Sequence, residues 1–412
     1  MKILFLNAYF QPEITAFSHL ENDIIEGLLA EDCEIQVICP VPTRGIDREI
    51  AKHYAKRKKE LLFDGRVSVQ RFWAPKEGKN PLMRAFRYLW CNLREYQIAA
   101  SQKDCCAIFA ASTPPTQGML GALVRKRRHI PFVYNLQDIF PDSLVNAKMA
   151  GKGSLVWRLG RKIEDYSYRN ADRIIVISKS FKNNIMSKGV SEEKIVVVPN
   201  WIDTSRVYPI PRNDNVLFDR YHLDRSKFYI CYSGNLGHSQ NLELLVKVAE
   251  EIRTAMPNVV FVLIGEGAAK EELESTVRGR KLNNIVILPF QPYENIAHVF
   301  SLGDVGLIIS KPGIGGSSVP SKTWSIMAAA RPLLVSFDRD SELVRIVRAV
   351  DCGLCSEADD LNAFITSIRT LYDDQARAHA MGRRGREYVC RELSKDVCTA
   401  MYVDVLRAAA NR

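Results

Sequence analysis

The strongest constraint on this chain is a rhythm: short apolar runs, each followed by a helical pattern, in a series that starts twice. The first series is Lys2 to Asn7, Glu34 to Cys39, Cys106 to Ala110, Phe132 to Tyr134, Arg173 to Ser178 and Lys194 to Val198. A strand with one wet face alternates apolar and polar residues. A continuous apolar run followed by a helix is instead a parallel strand covered on both faces. After Pro199-Asn200 the periodicity stops, and Trp201 to Asn215 carries Pro209 and Pro211. The rhythm restarts at Lys227 to Tyr232 and continues through Val259 to Ile264, Asn284 to Leu288, Val305 to Ile309 and Pro332 to Val335. At 412 residues the chain is too long for one compact core. The pattern predicts an α/β fold of two Rossmann-like doubly wound domains, residues 1–205 and 206–383, with a helical segment over 384–412.

Composition removes several classes. With 47% hydrophobic and 25% charged residues, the chain is neither disordered nor membrane-embedded. Met1 to Asn7 is too short an apolar stretch for a signal peptide or a membrane span and reads as the first buried strand. Ten cysteines without framework spacing fit a reducing compartment, so a cytoplasmic location is expected. Cys352-Gly353-Leu354-Cys355 has CxxC spacing, but no second CxxC or close His pair completes a tetrahedral zinc site, and the segment reads as strand and turn.

The charge of +10 is uneven. Between Arg44 and Arg94 there are 14 Lys/Arg against 5 Asp/Glu, with Lys56-Arg57-Lys58-Lys59 inside the stretch. Leu82, Phe86, Leu89, Trp90 and Leu93 share one face of a helix there, and Arg84, Arg87 and Arg94 fall toward the other. Either the apolar face packs on the core behind a solvated basic back, or it lies on an anionic membrane surface. A nucleic-acid partner is not expected, because no binding module accompanies the charge.

The chemistry is sought in the second half. Pro320-Ser321-Lys322-Thr323 leads from a Gly/Ser loop into an apolar, Ala-rich helix; Pro320 suits the helix start and Ser321 a cap. A first turn with a lysine in it is either an anion site, suited to the charge that grows on a leaving diphosphate, or simply a capped helix with a solvated lysine. Gly234 to Gly237 follows a strand and opens a helix, and Gly265-Glu266-Gly267 ends the next strand, where ligands of open α/β sheets bind. Asp338-Arg339-Asp340 has the spacing of a divalent-metal motif but reads as a charged loop, and His238 as a loop histidine beside the glycine turn.

In order and spacing these stretches resemble the retaining glycosyltransferases of family four, over nearly the whole chain. Tyr9 to Glu13 is similar to the loop after the first strand, Gln137 to Asp142 to the D-L-W-P-E segment, and Pro199 to Asp203 to P-N-G-V-D. Ser233 to Gly237, Gly265 to Gly267, Leu302 to Val305 and Pro320 to Pro332, the last similar to P-S-K-x-x-x-x-M-A-A-G-x-P with Ala330 in place of the glycine, complete the series. The resemblance implies the GT-B fold, two such domains facing a central cleft, the first binding the acceptor, the second a nucleotide sugar, and the terminal helix crossing back toward the first. It assigns Gly234, Asn235, Gly265, Glu266, Ser321, Lys322, Thr323 and Ser325 to the donor, and Phe290, Gln291 and Pro292 to its base. Lys322 and Asp138 are the expected catalytic residues, Asp138 on the acceptor side.

The implied reaction is sugar transfer from a nucleoside-diphosphate sugar, UDP- before GDP-, to a saccharide or polyprenyl-linked acceptor, with retention and with no metal or other cofactor. The cysteines make the cytoplasm the expected location, with the inner face of the membrane added if the basic stretch from Arg44 to Arg94 lies on lipid. Within the family the chain resembles bacterial exopolysaccharide and O-antigen transferases of fucosamine or fucosyl type. Ser317 and Ser325 stand where many members carry two glutamates, the second of them on the ribose. That departure keeps open a non-catalytic sugar-nucleotide-binding subunit and, beside it, a GT-B-like sugar-nucleotide epimerase.

Overall fold

The computed structural model describes the chain except residues 16, 78–79, 147–150, 315–318 and 412. Ser317 therefore lies outside the described residues, as does the side chain of Leu82. The chain divides into two compact units, Met1–Asn200 with Asp396–Arg412, and Trp201–Lys395.

The first unit holds eight strands: β1 (Lys2–Leu6), β2 (Glu34–Pro40), β3 (Lys59–Leu62), β4 (Val67–Phe72), β5 (Ala107–Ala111), β6 (Phe132–Leu136), β7 (Arg173–Val176) and β8 (Ile195–Val197). Their order is β3-β4-β2-β1-β5-β6-β7-β8, parallel except for β3. The order reverses between β1 and β5, where Phe5 sits opposite Phe109 and their rings lie 4.6 Å apart. Ile3, Leu4 and Phe5 are fully buried, as expected of a central strand covered on both faces. The helix Lys395–Ala410 closes this unit: Tyr402 donates to Asn135 Oδ1 at 3.1 Å and meets the Phe109 ring edge-on. The stretch 384–412 is thus shared between that helix and the end of the helix Gln375–Glu392, whose residues belong to the second unit.

The sequence reading placed no strands between Glu34 and Cys106 beyond β2, yet β3 and β4 are there. Val67 and Val69 are buried while Ser68 and Gln70 are not, which is the period of a half-buried strand. Lys59 opens the edge strand β3, where charge discourages pairing with another chain. Part of the basic run is therefore sheet edge.

The helix Pro81–Ala99 departs further from expectation. Arg87 (1% exposed), Cys91, Glu95 and Ala99 face inward, while Met83, Phe86, Leu89 and Leu93 are exposed, each by about half. Arg87 reaches the Pro75 carbonyl at 2.5 Å, and burial pushes the Glu95 pKa up to about 8. Core packing of the apolar face therefore fails for Phe86, Leu89 and Leu93 and holds only for Trp90, which packs on the core of this unit.

The second unit holds β9 (Phe228–Ser233), β10 (Val259–Ile264), β11 (Ile285–Leu288), β12 (Val305–Ile309), β13 (Leu333–Ser336) and β14 (Gly353–Ser356) in one parallel sheet. The order β11-β10-β9-β12-β13-β14 is that of a dinucleotide-binding sheet, with its switch point between β9 and β12. The CxxC segment runs into β14, with Cys352 just before the strand and Cys355 within it, and both cysteines are free thiols. Among the described residues, no helix is long and apolar enough to cross a membrane.

Asp172 ties three elements of the first unit. It takes two bonds from Arg125 (2.6 and 2.7 Å) and one from the Phe132 N–H (2.8 Å). Burial pushes its pKa up, but these bonds outweigh burial and hold the carboxyl below its ordinary value. Asp172→Ala should destabilise the first unit by about 1–2 kcal/mol at neutral pH, discounted for partial exposure. The carboxylate is depressed, so its contribution is present above about pH 4 and is lost as pH falls through the folded pKa. Urea unfolding of both proteins across that range checks both statements.

Candidate functional site

Two loops at the carboxyl edge of the second sheet lock together at its switch point. Gly234 follows β9 with φ 138° and Gly265 follows β10 with φ 158°, both accessible mainly to glycine. A Cβ on Gly265 would lie 1.9 Å from the Gly234 carbonyl oxygen. Backbone bonds join the loops: Gly234 N–H to Ile264 O at 2.9 Å, Leu236 N–H to Glu266 O at 2.8 Å, and Ala269 N–H to Leu236 O at 2.9 Å.

Lys322 completes this cradle. It opens the helix Lys322–Ala328, and its ammonium lies 3.7 Å from the centroid of the Tyr232 ring, a cation–π contact. The Tyr232 hydroxyl donates to Asn235 O at 2.7 Å, so one tyrosine holds both the lysine and the glycine turn. A Cβ on Gly234 would come within 2.9 Å of Lys322 Nζ. Among the described residues no carboxylate pairs with this ammonium, and burial pushes its pKa down to about 7. A buried cation without a counterion, beside a backbone loop, is arranged to receive an anion.

Gly234, Asn235, Gly265 and Lys322 are thus brought together. Thr323 is fully buried with Oγ1 unpartnered, and Ser325 is 7% exposed on the same short helix. Ser321 corrects the sequence reading. It occupies the cap position, but its own backbone is already helical (φ −57°, ψ −30°) and its hydroxyl caps nothing. A capping side chain normally reaches back from an extended backbone. Glu266 is turned outward to Lys270 at 2.7 Å. The segment after β11 begins beside the cradle, since Gly265 N–H donates to Leu288 O at 3.3 Å. There Phe290 is 70% exposed and Pro292 is exposed, but the Gln291 amide is committed, donating to the Tyr221 hydroxyl (2.7 Å) and to Pro289 O (2.8 Å).

Asp138 belongs to the first unit and lines a cavity of about 440 Å³ there, with Asn7, Tyr9, Glu21 and Arg44. The Ser112 hydroxyl accepts from the Asp138 N–H at 3.1 Å, and the carboxylate is exposed. Glu21 is the residue that sequence reasoning missed. Burial raises its pKa to about 8 despite a 2.7 Å bond from Asn7 Nδ2, so near neutrality it is a carboxylic acid able both to donate and to accept. Its signal was legible: an acid on the Leu20, Ile24, Ile25, Leu28 face of a helix. Asp338 accepts from the Gly313 N–H at 2.9 Å, and among the described residues no group of three or more His, Cys, Asp or Glu is placed to hold a metal.

Two doubly wound units, one with a cationic cradle at its switch point and one with a polar pocket, are the parts of a GT-B glycosyltransferase. Residues 22–206 match the model for Glycosyltransferase Family 4, and residues 214–388 that for Glycosyl transferases group 1. WcaI of Escherichia coli K12, named as a glycosyl transferase of colanic acid biosynthesis, is 26% identical over 96% of this chain and 100% of its own. WbjE of Pseudomonas aeruginosa, named as a glycosyltransferase, is 23% identical over 76% of this chain and 73% of its own. Among solved structures, sucrose-phosphate synthase of Thermosynechococcus elongatus superposes with a TM-score of 0.74 at 16% identity, covering 99% of this chain and 98% of that one. HepE of Anabaena, in complex with UDP, gives 0.71 at 15% identity, covering 99% and 100%. The chain belongs to the family-four glycosyltransferases and is a transferase of the GT-B fold, as its motifs led one to expect.

Gly265→Ala should destabilise the second unit by roughly 1–3 kcal/mol, because the added methyl meets backbone rather than a movable side chain. Denaturant unfolding measures this, and a change within error would show that the two loops are not locked.

Proposed function

We propose that this enzyme moves a sugar from a nucleoside-diphosphate sugar, UDP- in preference to GDP-, to a saccharide or polyprenyl-linked hydroxyl in cell-surface polysaccharide synthesis, with retention. The observation that carries the reading is Lys322, a buried ammonium with an aromatic ring behind it and glycine backbone in front. The UDP reading draws support from HepE, whose structures contain UDP and UDP-glucose. The polysaccharide setting draws support from the colanic acid assignment in WcaI's name. A fucosamine or fucosyl type of sugar rests on the motif resemblance alone. A cytoplasmic site of action fits the ten free cysteines.

In this mechanism the bond from the anomeric carbon to the diphosphate oxygen breaks and a bond to the acceptor oxygen forms. The acceptor proton passes to the departing phosphate, so neither a metal nor a protein nucleophile is required. Gly234, Asn235 and Gly265 bring backbone to the phosphates, and Lys322 offsets the charge that grows there. Thr323 and Ser325 add hydroxyls on the same helix, and Ser321 one at its start. Phe290 offers a face for the base, with Pro292 beside it; Gln291 holds that segment through Tyr221, and Glu266 holds its turn through Lys270. Asp138 orients the acceptor from its pocket in the first unit.

Calorimetry with a UDP-sugar, whose diphosphate diester does not titrate near neutrality, tests the donor site. Lys322→Met should weaken binding at least about tenfold. The free ammonium titrates near pH 7 and the bound diphosphate favours its charged form. Affinity should therefore be flat below that pH and fall by up to roughly tenfold per unit above it, a slope the Met variant lacks. Asp138→Asn should keep donor affinity within about twofold while lowering transfer to acceptor. Absence of binding by any UDP- or GDP-sugar would sink the proposal.

A further inference from the structure

The cavity of the first unit, where the proposed function seats the acceptor, is lined by two side chains of opposite charge that do not meet. Arg44 and Asp138 both face its space of about 440 Å³, and among the described residues neither is in an ion pair. Two opposite charges held apart in one cavity are each left to a ligand. Arg44 is exposed at its side chain but fixed at its backbone. Glu13 Oε1 accepts from the N–H groups of Thr43 and Arg44, each at 2.7 Å, and Glu13 itself is 1% exposed. Burial pushes the Glu13 pKa up, while these two bonds and the charges of Arg87 and Arg71 pull it down. A buried carboxylate given to two adjacent backbone N–H groups sets where the Arg44 side chain leaves the chain. The guanidinium then lies over Tyr9, 5.5 Å from the ring centroid, and Tyr9 lines the same cavity. Tyr9 is held in turn, its hydroxyl donating to Glu77 at 3.1 Å, and the buried guanidinium of Arg87 lies 5.9 Å from the same centroid. This wall of the cavity is therefore positive.

We propose that Arg44 holds an oxyanion of the acceptor, so that this enzyme takes an acidic acceptor: a sugar bearing a carboxylate, or one bearing the diphosphate of a lipid carrier. Both anions offer paired oxygens to the fork of a guanidinium. The rest of the lining fits such a ligand. Glu21, the other acid there besides Asp138, keeps one oxygen on Asn7 and is neutral near pH 7, so it does not repel an anion. Asp138 remains for a hydroxyl, and a ligand gripped at its anion by Arg44 and at a hydroxyl by Asp138 is fixed at two points rather than one. The proposal rests on the reading of the first unit as the acceptor side and adds the charge of the acceptor to it.

The test reads binding rather than transfer. Methyl glucuronide, methyl glucoside and farnesyl diphosphate are titrated into the full chain by ligand-detected NMR, with UDP present and again in the Lys322→Met variant, so that anions bound at the second unit are not counted. One of the two anions should bind at least about tenfold more tightly than the uncharged glucoside. Preference for the glucuronide assigns a sugar carboxylate, and preference for farnesyl diphosphate assigns the carrier phosphate. Arg44→Gln should abolish the preference, and Arg44→Lys should keep part of it, since a point charge replaces the fork. Both variants should keep the unfolding midpoint and should hold UDP-sugar affinity within about twofold, because the donor cradle belongs to the other unit. Three results overturn the proposal: no preference for either anion, a preference that survives Arg44→Gln, or a loss of UDP-sugar affinity in Arg44→Gln, which would give Arg44 to the donor. Because the glucuronide and glucoside are compared without transfer, a failed donor site leaves this comparison to be decided separately.

Discussion

The site depends on one contact, the Lys322 ammonium against the Tyr232 ring. Holding that ammonium charged out of water costs on the order of 5 kcal/mol, judged from a pKa brought from 10.5 to about 7. The ring returns about 2 kcal/mol at best. Without a ligand the cation is therefore under-compensated, and under the proposed function the donor diphosphate is what supplies the missing charge. The surrounding geometry is subordinate to this contact. Gly234 lacks a side chain where one would strike Nζ, Gly265 lacks one where it would strike Gly234, and the tyrosine hydroxyl braces the turn at Asn235.

The division of labour between the units follows from topology. In each sheet the chain reverses direction beside the first strand of that unit, at β1/β5 and at β9/β12, and the loops leaving those strands are not filled by a crossing helix. In the second unit that opening holds the cradle. In the first it holds the cavity lined by Asn7, Glu21 and Asp138, where a carboxylic acid and a carboxylate offer both donors and acceptors. Hydroxyl-bearing ligands need both, and this lining offers both.

What the sequence showed and what it hid differ in kind. Strands such as Val259 to Ile264 were plain because burial on both faces leaves no polar residue to blur the run. The pair β3 and β4 was hidden because an edge strand carries lysine for solubility and its neighbour alternates, so neither resembles the others. The donor motif was legible as a series of glycines and a lysine, but Tyr232 was not. It ends an apolar strand as any core aromatic would, and only the fold puts its ring beneath a residue ninety positions later. The helix Pro81–Ala99 marks a deeper limit. Periodicity says which residues share a face, not which way the face turns, and here buried Arg87 and Glu95 decided the rotation.

The serine at position 325 acquires meaning from the same contact. Residues three apart on a helix are neighbours, so a glutamate at 325, which the family resemblance leads one to expect, would stand within reach of Lys322. Such a carboxylate would supply the counterion that Lys322 lacks and would hold its pKa up rather than let burial lower it. With Ser325 instead, neutral, 7% exposed and flanked by buried Trp324 and Ile326, burial brings the lysine's pKa down to about 7, so near neutrality its charged form is only partly populated and has no counterion until an anion arrives. Under the proposed donor binding, the resemblance then implies that a carboxylate contact to the ribose gives way to a stronger demand for phosphate. On this account the substitution and the unpartnered lysine are one feature of the site rather than two.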